Sequence, residues 1–259
     1  PDITHYLGVL NNYDSFLSDL EKVEQNDKND NRPDIHISKG TIKINKLYFD
    51  YNGTRPLFKG IDLNINGGDH VAFVGESGNG KSTLIKLIMG YYHVDDGMIY
   101  IDGQDINKIN IESLRKEISF VNQNSKLFNA SIYDNISYGN GLTHDEIDSI
   151  VQKMGVGRIF MGLRDGLNSS VGINGDQLSG GQKQMVHILR AMAKKNKIII
   201  MDEPTAAIDV NNRELVIKAI NEMSKNKTLL LITHDDALLK ACNRVVRISN
   251  GRIVSDKSY

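Results

Sequence analysis

Val71-Ala72-Phe73-Val74-Gly75-Glu76-Ser77-Gly78-Asn79-Gly80-Lys81-Ser82 runs from an apolar segment through a glycine-rich loop into a helical pattern, and the fold is decided here. Val71 to Val74 is apolar on both faces, as a strand inside a parallel sheet must be. Leu84, Leu87 and Ile88 then recur at helical spacing. Glycines between a buried strand and a helix let the backbone curl until successive N–H groups point inward, and the helix N-terminus adds its positive end. The pattern is that of a phosphate-binding loop. Gly75, Glu76, Ser77, Gly78, Asn79 and Gly80 form the cradle, with Thr83 just beyond. Lys81 is placed to reach the β- and γ-phosphates, and Ser82 offers a hydroxyl to Mg²⁺.

Further along, Ile198-Ile199-Ile200-Met201-Asp202-Glu203 is an apolar strand that delivers two carboxylates at its end. Asp202 is the candidate magnesium ligand, and Glu203 the candidate general base for an attacking water. Taken alone, the acidic pair also fits a helix N-cap ahead of Pro204; the phosphate loop upstream favours the chemical reading. Thr228 to Thr233 is a third buried run, separated from the second by a helix-length segment, Val210 to Lys225. Strands alternating with helices predict an α/β fold around an open, mainly parallel sheet, which binds ligands at the carboxyl ends of its strands. His234 ends the third run, where such ligands gather. Together these motifs define a P-loop NTPase core.

Two further parts attach to that core. Thr41 to Phe49 alternates in strand fashion, and Asn52-Gly53 supplies a turn before a second strand near Ile61 to Ile65, which predicts a small antiparallel β subdomain. Ser125 to Ala193 is helix-rich and punctuated by glycines, which predicts an inserted α-helical subdomain. At the front, Leu7, Leu10, Tyr13, Leu17, Leu20 and Val23 make an amphipathic helix, followed by a polar linker from Gln25 to Asp34.

Composition sets the bounds. The 259 residues are 40% hydrophobic and 24% charged, ordinary for a globular protein. Lys plus Arg (31) nearly balances Asp plus Glu (32), so nucleic acid is not expected as a partner. The run Lys194-Lys195-Asn196-Lys197 reads as a solvated helix end. The single cysteine, Cys242, forms no internal disulfide and fits a buried small hydrophobe. The longest apolar runs are strand-sized, and the first thirty residues hold no signal-peptide core. Starting at Pro1, the chain reads as a piece of a longer polypeptide.

Leu178-Ser179-Gly180-Gly181-Gln182 narrows the class. Here, on roughly Ile35 to Ser255, the chain resembles the ATP-binding domains of the ABC family. A serine and glycines opening a helix make a second anion-binding N-terminus, and in the family this segment contacts the ATP held by an opposing domain. The same helix start is also explained by a serine cap and a glycine turn. The resemblance implies that Ser179, Gly180, Gly181 and Gln182 meet a partner's nucleotide, and that two domains clasp two ATP molecules. It also implies that Tyr51 stacks on adenine, with Tyr48 as the alternative for a core aromatic. Gln123 would touch magnesium and link the core to the helical subdomain. Asp209 would belong to the D-loop, and His234 would bond the γ-phosphate.

Within the family, Leu114-Arg115, Leu127-Phe128-Asn129-Ala130-Ser131-Ile132 and Asn135-Ile136-Ser137-Tyr138-Gly139 look like exporters. The expectation is an ATP-hydrolysing motor domain over 35–259, with its helical subdomain at about 125–193. Residues 1–34 would be the end of a membrane domain. Its partners would be a second ATPase domain and a transmembrane domain, at the cytoplasmic face of a membrane. The alternatives are a soluble ABC ATPase outside transport and an importer ATPase. Two residues depart from the exporter pattern. Ile173 stands after Val171-Gly172 where a glutamate is usual, so that residue's coupling role is not carried over. Pro204 stands where many exporters have alanine.

Overall fold

The computed structural model describes residues 31–259 except Thr54, Gln123, Asn124, Ala207, Asp209 and the side chains of Val210 and Asn211. The amphipathic helix expected over Leu7 to Val23, and the candidates Gln123 and Asp209, lie outside the described residues.

The central sheet has six strands in the order β10-β9-β3-β8-β7-β6. They are β3 (His70–Val74), β6 (Ile118–Val121), β7 (Ile198–Asp202), β8 (Thr228–Ile232), β9 (Arg244–Ser249) and β10 (Arg252–Ser258). All neighbours pair in parallel except β9 with β10. A second, antiparallel sheet has the order β2-β1-β4-β5, with β1 (Ile42–Phe49), β2 (Phe58–Ile65), β4 (Ile99–Ile101) and β5 (Gln104–Asp105). The α/β class with its antiparallel annex is the one the sequence predicts. The short strands β4 and β5 and the β9–β10 hairpin are additions to it.

Side-chain alternation explains the apolar runs. In β7, Ile198 and Ile200 face a cluster shared with the antiparallel sheet, including Ile42, Ile44 and Phe58. Ile199 and Met201 face the opposite cluster, which contains Ile132, Ile188 and Val216. In β8, Leu230 and Ile232 point to the first cluster, and Leu229 and Leu231 to the second. Both faces are covered, so the two strands are apolar between Thr228, which opens β8, and Asp202, which closes β7. Each aliphatic side chain buried here contributes roughly 1.5–3 kcal/mol.

The helices follow their caps. After β3 comes α1 (Lys81–Ile88), and α2 (Ile111–Glu117) precedes β6. The helical part holds α3 (Ile132–Ser137), α4 (His144–Met154) and α5 (Gly180–Ala193). Ser131 with Asp134, Thr143 with Glu146 and Ser179 with Gln182 each close a reciprocal capping box at these starts. Then α6 (Val210–Ser224) and the short α7 (Asp236–Lys240) flank β8.

Two local expectations are corrected. Tyr48 is not a core aromatic: it is 58% exposed, its ring laid over Gly60 on the outer face of β1. Lys194 is not a fully solvated helix end: it is half-buried, and burial beside Arg190 lowers its pKa. Cys242 is buried as expected, which raises its thiol to about 12. No described helix is long and apolar enough to cross a membrane.

Candidate nucleotide-binding and catalytic site

The central strand β3, flanked by β8 and β9, ends at Val74, and the loop Gly75 to Gly80 turns the chain into α1. Gly80 is the N-cap of α1 at φ 87° and supplies no side-chain cap. α3, α4 and α5 each satisfy one first-turn N–H with a serine or threonine cap, whereas α1 has a glycine there, which leaves that donor too for an anion. The Lys81 ammonium is drawn into the loop, donating to the Gly75 carbonyl at 2.7 Å and the Glu76 carbonyl at 3.0 Å. A cleft of about 330 Å³ is lined by Tyr51, Leu57, Ser77, Gly78, Gly80, Lys81, Ser82 and Thr83. Of the residues named from sequence, Tyr51, Ser77, Gly78, Gly80, Lys81, Ser82 and Thr83 meet at this cleft; Gly75, Glu76 and Asn79 do not line it.

Tyr51 is half-exposed at the mouth of this cleft. Its hydroxyl shares a 2.7 Å hydrogen bond with that of Thr83. Phe49 and Tyr92 meet its ring edge-on, with centroids at 5.1 and 5.3 Å. An aromatic fixed in this way presents a platform at low entropic cost. A larger cavity, about 630 Å³, lies on the antiparallel sheet among Thr41, Lys43, Asn45 and Asn64. It is lined by none of the candidate site residues named from sequence, whereas the smaller cleft is lined by the phosphate loop.

Asp202 closes β7 in register with Ile232 of β8. Glu203 follows at φ 48°, a left-handed backbone that a non-glycine residue adopts only when its surroundings enforce it. Its N–H donates to the Ile232 carbonyl at 2.9 Å. Burial raises the Glu203 pKa, and Asp202 adds to the rise; His234 and Lys81 oppose it without cancelling it. The His234 Nε2 is 3.7 Å from the Glu203 carboxyl. Lys81, Asp202, Glu203 and His234 therefore share one electrostatic environment at the carboxyl ends of adjacent strands. For magnesium, the donors at hand are one hydroxyl, Ser82, and one carboxylate, Asp202. No group of three His, Cys, Asp or Glu forms a metal cage among the described residues. That sparse, all-oxygen set suits a cation that keeps waters and borrows phosphate oxygens, as Mg²⁺ does.

Ser179 opens α5 on an exposed edge of the helical part. Its N–H donates to Gln182 Oε1 at 2.9 Å, its hydroxyl accepts from the Gln182 N–H at 3.2 Å, and Gln182 Nε2 reaches the Ile159 carbonyl at 3.0 Å. Gly180 is exposed and Gly181 buried. Among the described residues, no hydrogen bond joins Ser179–Gln182 to the phosphate loop. Ile173, ahead of this segment, is exposed.

Sequence reasoning missed two polar networks. Buried Asp235 accepts from Arg213 Nε at 2.6 Å, Thr205 Oγ1 at 3.0 Å and the Ala237 N–H at 2.9 Å. The only local signal is an aspartate directly ahead of a short helical pattern, an N-cap signature. Fully buried Asn135 accepts from the Phe128 N–H at 2.9 Å, donates to the Phe128 and Ser131 carbonyls, and takes two bonds from Arg190 at 2.6 and 2.8 Å. An arginine ten residues into a helix gives no hint of that partner.

A glycine cradle between strand and helix, with a lysine, two carboxylates and a histidine at neighbouring strand ends, defines a P-loop nucleotide-binding domain. The family model described as "ABC transporter" matches residues 58–206, and the chain belongs to that family. It is 38% identical over 226 residues to "Multidrug resistance protein pgp-1" of Caenorhabditis elegans, covering 86% of this chain and 17% of that protein. It is 33% identical over 246 residues to "ATP-dependent lipid A-core flippase" of Vibrio vulnificus, covering 94% and 42%. A solved structure, "Structure of a bacterial Atm1-family ABC exporter with ATP bound", superposes with a TM-score of 0.82 at 30% identity, over 88% of this chain and 41% of that one. The chain thus spans less than half the length of these relatives. In each, the likeness covers one part of a longer protein.

Proposed function

We propose that this domain binds and hydrolyses ATP and serves as the motor of an exporter at the cytoplasmic face of a membrane. One observation carries the reading: Glu203, strained and with a raised pKa, lies beside His234 at the strand ends next to the phosphate loop. A base is most effective when its pKa approaches the working pH, so a desolvated carboxylate accepts a proton better than an exposed one.

Tyr51 supplies the adenine platform. The N–H groups of the loop Gly75 to Gly80 and of Ser82 and Thr83 hold the phosphates, and Lys81 swings its ammonium from the Gly75 and Glu76 carbonyls to the β- and γ-phosphate oxygens. Ser82 and Asp202 would hold Mg²⁺, with Gln123 as a further ligand. When bound, the ion neutralises charge on the phosphate oxygens. Glu203 takes a proton from water as the water oxygen bonds to the γ-phosphorus, and the bond to ADP breaks with its electron pair leaving on the ADP oxygen. His234 orients the γ-phosphate, and ADP and phosphate depart.

Ser179 and Gly180 are exposed, and among the described residues no hydrogen bond joins Ser179, Gly180, Gly181 and Gln182 to the phosphate loop of their own chain, which supports their use on the nucleotide of a second ATPase domain, with a role for Asp209 in the same pairing. The family of the relatives supports a transmembrane domain as the other partner. Near-neutral charge supports no nucleic-acid partner. Glu203→Gln tests the reading: turnover falls roughly 10²- to 10⁴-fold, the scale of a general base, while ATP still binds. Near-normal phosphate release in that variant refutes it.

A further inference from the structure

Arg213 sits in the first turn of α6, the end of a helix whose dipole disfavours a cation. Its position is explained instead by Asp235, which its Nε meets at 2.6 Å. Asp235 is buried and directly follows His234; its carboxylate also holds Thr205 at 3.0 Å and the Ala237 N–H at 2.9 Å. Its own N–H donates to Thr233 Oγ1 at 3.0 Å. Thr205 is two residues past Glu203 and is itself buried. The carboxylate therefore ties the exit of β7, which carries Glu203, to the exit of β8, which carries His234. His234 in turn acts on the Glu203 carboxyl through both its ring and its N–H.

We propose that Arg213 is a positioning residue for hydrolysis: by holding Asp235 it fixes the two strand exits so that His234 and Glu203 keep their mutual geometry. The inference rests on the hydrolytic reading above. Arg213 touches no reacting atom, and its side chain is 44% exposed, so its removal leaves the cores intact. What its removal changes is Asp235, a buried carboxylate left with only neutral donors and free to rotate away from Thr205. Because α6 starts immediately after the segment holding Asp209, the clasp also ties the orientation of that helix to the catalytic pair.

The test uses the full-length protein and steady-state ATP hydrolysis. Arg213→Ala is expected to lower kcat by roughly 10- to 100-fold, the scale of a small misplacement of reacting groups, with the KM for ATP within about twofold of the unmodified protein. Arg213→Lys, which keeps the charge, recovers part of that loss. Asp235→Asn matches Arg213→Ala, and the double variant is no worse than either single one, since both break the same link. A merely structural role would lower the folded yield and leave kcat per folded molecule unchanged, and that result overturns the inference, as do additive losses. Absence of turnover in the unmodified protein would overturn the hydrolytic reading and this inference with it; normal turnover in Arg213→Ala overturns this inference alone.

Discussion

Two glycines of the phosphate loop share a left-handed backbone but not a neighbourhood, and alanine at each separates the two costs. Gly80 has φ +87°, and a Cβ there would stand 2.9 Å from the Phe58 ring and 3.2 Å from Leu57 Cδ2. Phe58 is fully buried, so the ring cannot retreat. Gly78 has φ +82° with nothing within 4 Å of its Cβ position. The left-handed backbone alone costs about 1 kcal/mol for a non-glycine residue. Overpacking a filled core adds about 2 kcal/mol. Gly78→Ala should therefore lose about 1 kcal/mol and Gly80→Ala about 3. At about 2–4 °C per kcal/mol for a domain of this size, the melting points fall by about 3 °C and about 9 °C respectively. Differential scanning calorimetry without nucleotide measures both. Equal shifts for the two variants would refute the packing argument, since only the Phe58 contact distinguishes them.

Asn135→Ala strips partners from the Phe128 N–H and the Arg190 guanidinium, and should destabilise the chain by about 2–4 kcal/mol in urea unfolding; a loss under about 1 kcal/mol would contradict the network. For Asp102, burial pushes the carboxyl upward, but the N–H groups of Lys39, Thr41 and Ser38 and the Thr41 hydroxyl together hold it at about 2, below its ordinary 3.8. A depressed folded pKa stabilises above the unfolded value and is lost as pH falls from about 4 to about 2. Discounted for partial exposure, the contribution is on the order of 1 kcal/mol, so the stability gap between the unmodified chain and Asp102→Ala should narrow over that window. Because burial raises the Glu203 pKa in the free domain, the acid limb of kcat/KM should be displaced upward from where an unperturbed glutamate would put it, and vanish in Glu203→Gln.

The parts legible in sequence are those where one local pattern had one physical solution. The runs at β3, β7 and β8 are apolar on both faces because both faces are covered, and the loop after β3 carries its own signature. The β9–β10 hairpin was not legible because it lies at the sheet edge: Arg244, Arg247, Arg252 and Lys257 interrupt any apolar run. β4 and β5, three and two residues long, are too short to show a period. Tyr48 looked like core because aromatics in strands commonly are, but its position in β1 points outward, where it covers Gly60. Lys194 looked solvated as part of a basic run, yet the last turn of α5 carries it to Arg190. Among candidate site residues, those on β3, α1, β7 and the end of β8 are brought together by strand order. The Arg213–Asp235–Thr205 clasp joins three separated segments, and only the topology makes it visible.

Hydrolysis as proposed needs a composite site, with the phosphates held by one domain and Ser179 supplied by another. Sedimentation of the isolated domain carrying Glu203→Gln, with and without ATP, tests this most directly, beside the same protein with Ser179→Arg added. The prediction is an ATP-dependent dimer for the first protein, and for the second a monomer that still binds ATP through Lys81. A Ser179→Arg protein that pairs as before, or a monomer of the unmodified domain that turns over ATP at full rate, would contradict it.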